Sequence, residues 1–330
     1  MLTAHSLDSL LHQIAMQQPN EAPVLSAYVN SDREGRQYFE QRVCQLRNSI
    51  ASAQRGAFDE TVRAARLGLK QKSVDSTANV LFARGGQRMF FYQATLAHRV
   101  VNRVTNSRIP SLYGLAELRD NFDRFCLLHI LPDFVQLNHF ELGALQKQMS
   151  FRARFGSDLW RQTLIECTRQ FASQNSAMAS IHWIVAAPAD LIVDCQSFLR
   201  CPLDALVIDS LADAKTVHQI AVQHFREREE LKSRHFSDSL VRRSKHDNDI
   251  SVGPQSVLEA LALEPIKALA LQARTSKDLA LRWIRKEPDL FTVHDEVVWL
   301  AKRSRTHVEI VDDSPALSQV GGIACLRCKK

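Results

Sequence analysis

The stretch His294–Cys328, HDEVVWLAKRSRTHVEIVDDSPALSQVGGIACLRC, decides the fold. His294–Arg305 reads as an amphipathic helix and Thr306–Asp313 as an apolar alternating strand. A polar turn around Pro315 follows, then a closing strand Val320–Cys328 reached through Gly321-Gly322. Glycine tolerates positive φ and close backbone approach, so a Gly-Gly pair before an apolar run is a natural way into a strand after a bulge or tight turn. Taken alone, the pair fits any α/β domain and carries no function.

The order helix, strand, loop, glycine pair, strand, together with Gly321, Gly322, Ile323, Ala324, Leu326 and Arg327, resembles the C-terminal domain of the archaeo-eukaryotic peptide chain release factor and Pelota superfamily. The resemblance points to its bacterial branch. It extends over almost the whole chain as an order of elements, but only the last third carries motif-level similarity. It implies a middle domain of ribonuclease H-like fold and a last domain with the fold of kink-turn-binding ribosomal proteins. It also implies a factor that docks in or near the ribosomal A site for rescue, quality control or hibernation. The implied partners are the ribosome, ribosomal RNA and an elongation factor-type GTPase. The decoding motif of true release factors is not visible in the first third, so stop-codon reading does not carry over.

Length and composition set the outer bounds. A chain of 330 residues exceeds what one hydrophobic core usually serves, which predicts two or three domains. Hydrophobic content of 45% and charged content of 24% are those of an ordinary globular protein. There is no apolar run long enough to span a membrane, and the N-terminus lacks a basic segment followed by an apolar core. These features predict a cytosolic protein without a membrane partner. The seven cysteines are odd in number and scattered, which argues for a reducing compartment. Cys325 and Cys328 form the one close CxxC pair, with no second pair at zinc-finger spacing, so no metal is expected there. Strand alternation would place one of these thiols in a core and the other outside.

The coarse reading is a three-domain α/β protein: a mixed α+β domain over 1–120, a middle domain over 121–252 and an α/β domain over 253–330. In the first, residues 24–29 read as a strand, Gln37–Leu69 as helical, and 79–83 with 89–92 as a hairpin around RGGQR. In the second, Phe125–Leu131 and Phe134–Phe140 read as paired strands, Asp158–Ala172 as a helix and His182–Ala187 as a buried strand. A helix over Ala189–Leu199, a strand over Ala205–Ile208 and a long charged helix over Ala214–Val241 follow. Strands alternating with helices predict a sheet with helices on its faces. The polar stretch RRSKHDNDISVGP reads as the linker into the last domain, which opens with a helix over Gln255–Ala262 and a strand over Ile266–Leu271.

Charge is uneven. Residues 1–120 hold fifteen Lys/Arg against ten Asp/Glu, and no acidic residue stands between Asp75 and Glu117. Within that window Arg84, Arg88, Arg99, Arg103 and Arg108 interleave with Phe90, Phe91, Tyr92 and Tyr113. Arginine forks match phosphate oxygens, so this is either the footprint of an RNA-binding face or an ordinary solvated face whose countercharges come from another segment.

Gly85-Gly86-Gln87 matches in letters the GGQ loop with which release factors hydrolyse peptidyl-tRNA. In that superfamily the loop lies in the middle domain before a long basic helix; here it sits between two strand-like runs, where a two-residue Gly-Gly hairpin turn accounts for it. Gly85, Gly86 and Gln87 are therefore weak catalytic candidates. At the middle-domain place the chain reads ELGALQKQMSFRARFGSD, a loop with Lys147, Arg152 and Arg154 as further RNA-contact candidates and no GGQ.

The competing class is a metal-dependent nuclease built from Asp133, Asp190, Asp194, Asp204 and Asp209, which fall near expected strand or helix ends. Their spacing is equally that of caps and turn formers. His218 and His224 on the long helix do not repeat on one face and read as solvated. There is no P-loop, dinucleotide fingerprint, HExxH or GxSxG, so no cofactor is expected.

Overall fold

The computed structural model describes residues 4–17, 22–70, 77–131, 133–152, 181–189, 203–208, 212–273 and 293–328, with 162, 165, 166 and 192. It is a mixed α/β protein with three sheets among these residues. The chain divides into two compact units, Met1–Asn121 with Glu230–Lys330, and Phe122–Glu229. Among the described residues no helix is long and apolar enough to cross a membrane.

The first unit opens with helix α1 (Ala4–Ala15) and strand β1 (Val24–Asn30), followed by α2 (Arg33–Ser49), α3 (Arg55–Lys70), β2 (Ala78–Arg84), β3 (Phe90–Leu96), β4 (Arg103–Ser107) and α4 (Tyr113–Asn121). The strands form an antiparallel sheet of order β3-β2-β1-β4. Phe39, Val43 and Leu46 of α2, and Phe58, Val62 and Ala65 of α3, recur at helical spacing and pack on Leu25, Ala27, Val29 and Leu81. Each large side chain buried this way contributes about 1.5–3 kcal/mol. The helix expected over Gln37–Leu69 is two helices, because Ile50 takes an extended conformation that ends the first. Asp32 caps α2, its Oδ1 accepting from the Gly35 amide at 2.7 Å.

The second unit holds β5 (Arg124–Leu131), β6 (Phe134–Glu141), β7 (Ala144–Phe151), β8 (His182–Ala187) and β9 (Leu203–Val207) in the order β7-β6-β5-β8-β9. The meander β5–β7 is antiparallel, and β5, β8 and β9 run parallel. Phe125, Leu127, Phe140, Ile184 and Ala186 form one face, on which Val217, Ala221 and Phe225 of α5 (Ala214–Arg243) pack. The other face carries Cys126, Leu128, Ile130, Val135 and Leu137. The segment read as a loop around Lys147 is strand β7, turned through Leu142 and Gly143, both at positive φ. The expected helix over Asp158–Ala172 and most of that over Ala189–Leu199 lie outside the described residues.

The C-terminal third returns to the first unit with β10 (Ile250–Val252), α6 (Pro254–Leu263), β11 (Ile266–Gln272), α7 (Val293–Arg303), β12 (His307–Val311), α8 (Pro315–Gln319) and β13 (Ile323–Arg327). The sheet order is β10-β13-β11-β12, with β11 and β12 parallel. The turn expected at Pro315 is a short helix: Ser314 caps it through the Leu317 amide at 3.0 Å, and Pro315 stands at the first position, where its missing N–H costs nothing. Within this unit α1 packs on α4 and α7, and α4 packs on β12.

Candidate nucleic-acid interface

The arginines of the acid-free window divide by environment. Arg84 is only 4% exposed; its Nε donates to the Arg88 carbonyl at 3.1 Å and its guanidinium lies 4.8 Å over the Phe90 ring, while burial works against its charge. Arg99 pairs with the capping carboxylate of Asp32. Arg103 donates to Asp295 Oδ2 at 3.0 Å, and the same buried carboxylate accepts from Ser111 Oγ at 2.6 Å. Countercharges for Arg99 and Arg103 thus come from other segments, Asp32 before α2 and Asp295 on α7. Arg88 and Arg108 are exposed. Of the aromatics, Phe91 is 41% exposed, whereas Tyr113 is buried edge-on against His294 at 5.4 Å.

The Gly85-Gly86-Gln87 segment lies in a five-residue connection, since Arg84 pairs with Phe90 in the β2–β3 hairpin. The two-residue turn expected there is therefore corrected to a longer loop. A Cβ at Gly85 would sit 2.4 Å from the Ala57 carbonyl oxygen, so only glycine lets the loop approach α3 this closely. The Gly85 amide donates to Thr61 Oγ1 at 2.7 Å and the Gly86 amide to Glu60 Oε2 at 3.3 Å, with Gly86 at φ +84°. Both glycines have a structural task in pinning the loop to α3, and Gln87, Arg88 and Met89 are left exposed at its tip. In the second unit Lys147 lies on β7, Arg152 is exposed just after it, and Arg154 lies outside the described residues.

The C-terminal glycines are equally structural. Gly321 and Gly322 stand at φ +86° and +79°, and the Gly322 amide donates to the Leu317 carbonyl at 2.8 Å, closing α8. The chain then enters β13 between β10 and β11, burying Ile323, Ala324 and Cys325, while Cys328 is exposed. Burial pushes the Cys325 thiol up to about 11. Arg327 Nη2 donates to Ser251 Oγ at 2.6 Å on the neighbouring strand.

The carboxylates of the nuclease reading do not come together where they can be followed. Asp133 is exposed in the turn past the C-terminal end of β5, and Asp204 is the second residue of the parallel strand β9, at the opposite end. Asp190, Asp194 and Asp209 lie outside the described residues. Asp204 is held instead by His182 Nε2 at 2.8 Å, His224 Nε2 at 3.5 Å and Arg228 Nε at 3.4 Å. His218 and His224 are half-buried rather than solvated, His218 meeting the Phe140 ring edge-on at 5.2 Å. A cluster that the sequence did not announce is Asp120, His307 and Glu309 in the first unit, whose ligand atoms lie within 4.8 Å of one another. His307-x-Glu309 on an expected strand was a visible half of it; Asp120, distant in sequence, was not.

No family model matches the chain, and no curated protein matches it in sequence. Among solved structures, similarity was found to an archaeal translation termination factor, 16% identical with a TM-score of 0.31, spanning 99% of this chain and 99% of the other. Archaeoglobus fulgidus Pelota is 12% identical with a TM-score of 0.42, spanning 100% and 94%. Saccharomyces cerevisiae Dom34, described as a translation termination-like factor involved in RNA quality control pathways and interacting with Hbs1, is 11% identical with a TM-score of 0.40, spanning 76% and 79%. Superposition scores this low give no residue-by-residue correspondence, and the activities stay with those proteins.

Proposed function

We propose that the chain is a ribosome-associated translation factor docking at or near the A site, in rescue, quality control or hibernation, without reading stop codons. The observation that carries this reading is the segment Gly321–Arg327: the residues that resemble the superfamily are those that close α8 at positive φ and feed the central strand β13. The reading includes three domains divided near residues 120 and 252, the middle one ribonuclease H-like. It also includes an elongation factor-type GTPase as the delivering partner. Gly85, Gly86 and Gln87 have no catalytic part in it, because both glycines are used to pin the loop to α3.

RNA contact is assigned to the exposed cations Arg88, Arg108 and Arg152, with Lys147 on β7, rather than to Arg84, Arg99 and Arg103, which serve packing and ion pairs. The test is co-sedimentation with 70S ribosomes and separated subunits over a salt series. Binding at low salt that weakens steeply as salt rises, with a slope shallower by about 1 for each phosphate contact removed in Arg88→Glu and Arg108→Glu, is expected. Absence of binding at low salt overturns the reading; binding unaffected by the paired charge reversal removes this surface from it.

A further inference from the structure

The cluster Asp120, His307 and Glu309 belongs to none of the surfaces discussed above. Residues two apart on a strand face the same side, so His307 and Glu309 stand side by side on β12. The C-terminal end of α4 brings Asp120 against the same strand, where its Oδ2 accepts from the Ile310 amide at 2.6 Å. Glu309 is 6% exposed, yet its two oxygens are each oriented: Oε2 accepts from Ser233 Oγ at 2.6 Å, and Oε1 faces His307 Nε2 at 2.6 Å. Burial opposes its charge, but the bonds from His307 and Ser233 outweigh burial and hold the carboxyl well below the ordinary carboxylate range. The His307 side chain is 60% exposed, which leaves the cluster open to solvent from one side.

We propose that Asp120, His307 and Glu309 form a binding site for one divalent transition ion of the zinc class, with a remaining position open to water. An imidazole nitrogen with two carboxylate oxygens is a donor set that zinc accepts, whereas magnesium and calcium prefer oxygen alone. The ion takes the place of the proton between His307 Nε2 and Glu309 Oε1; that proton leaves to solvent. Ser233 and the Ile310 amide act as the outer donors that orient the two carboxylates, the supporting shell that ligating residues ordinarily have. Because Asp120 comes from the first third of the sequence and the other two from the last, the ion ties α4 to β12 within the first unit.

The test uses the full chain freed of metal with a chelator, then titrated with zinc by calorimetry and with cobalt by visible absorption. One ion per chain and a cobalt d–d band are expected. His307→Ala, at an exposed position where the fold is kept, should weaken binding by about tenfold or more, and Ser233→Ala by about tenfold. Asp120→Asn keeps an acceptor for the Ile310 amide and should weaken zinc binding in the same way, so the result does not depend on one variant folding. Absence of binding, or zinc binding unchanged in both His307→Ala and Asp120→Asn, overturns the proposal, since the metal would then sit on exposed histidines elsewhere. Neither result bears on ribosome binding, which is measured separately.

Discussion

In the first unit Asp295, with no exposed surface, accepts hydrogen bonds from Ser111 and Arg103, and buried Glu309 accepts from Ser233 and faces His307. In the second, Asn138 is just as buried, and neither atom of its side-chain amide is bonded among the described residues. A buried charge without a partner is far costlier than a buried neutral amide or imidazole. The first unit therefore joins distant parts of the sequence through directional bonds. The second is centred on apolar packing, with charged pairs gathered at Asp204. Its centre is a stack in which Phe125 lies 4.8 Å from Phe140 and 4.7 Å from Phe225, with interplanar angles of 6° and 20°.

The largest expected effect follows from that stack. Phe225→Ala removes its outer ring from a site 2% exposed and should destabilise the second unit by about 3–5 kcal/mol, leaving amide exchange in the first unsheltered only by what global unfolding brings. Asp295→Ala is the counterpart in the first unit. It leaves the part-buried Arg103 without its carboxylate and Ser111 without its acceptor, and should cost about 3 kcal/mol in urea unfolding. If Asp295→Ala costs as little as an exposed ion pair, about 0–1 kcal/mol, the contrast between the units fails.

Acid should separate the units next. In the second, His129, His139, His182 and His218 all lie below the ordinary histidine range, burial being the first cause of each; His218 and Arg228 add to it for His129 and His182, while Asp204 and Glu141 oppose it for His182 and His139. In the first, His294 is lowered as well, burial again being the first cause. A histidine depressed in the folded state takes up its proton first in the unfolded chain. Stability is therefore present above about pH 6.5 and falls as pH drops from there towards the folded value. Each such histidine contributes at most about 1.4 kcal/mol per pH unit. Hydrogen exchange at pH 7.5 and 5.5 should show protection lost earlier in β5, β6 and β8 than in the first unit; equal loss in both would remove histidine neutrality as a distinguishing feature.

Legibility followed the range of the interactions. The strands β1, β2, β5, β6 and β8, the long helix α5 and the terminal order α7, β12, β13 could be read because apolar periodicity is local. Strand β7 was missed because Leu145 and Gln148 face solvent and its polar residues mask alternation, and α8 because five residues carry no period, although Ser314-Pro315 was a legible cap. The arginine window was legible as charge but not as environment. Arg103 is paired by Asp295, distant in sequence, and Arg84 is buried inside its own hairpin against Arg88 and Phe90, a fate that charge counting does not reveal. The cluster of Asp120 with His307 and Glu309 escaped for the same reason.

The smallest effect is the sharpest on the second unit. Asn138 pairs with Leu127 across β5–β6, on the face that also presents Phe125 and Phe140 to α5. Replacing an unbonded buried amide by an apolar side chain of similar shape removes a desolvation cost and gains apolar contact, so Asn138→Leu should be neutral or stabilise by about 1 kcal/mol. A loss of about 1–3 kcal/mol would mean instead that the amide is bonded in the folded protein. Residues outside those described would then have to supply its partners, and Asn138 would resemble Asp295 in being held by directional bonds. Chemical denaturation of the single variant decides between the two.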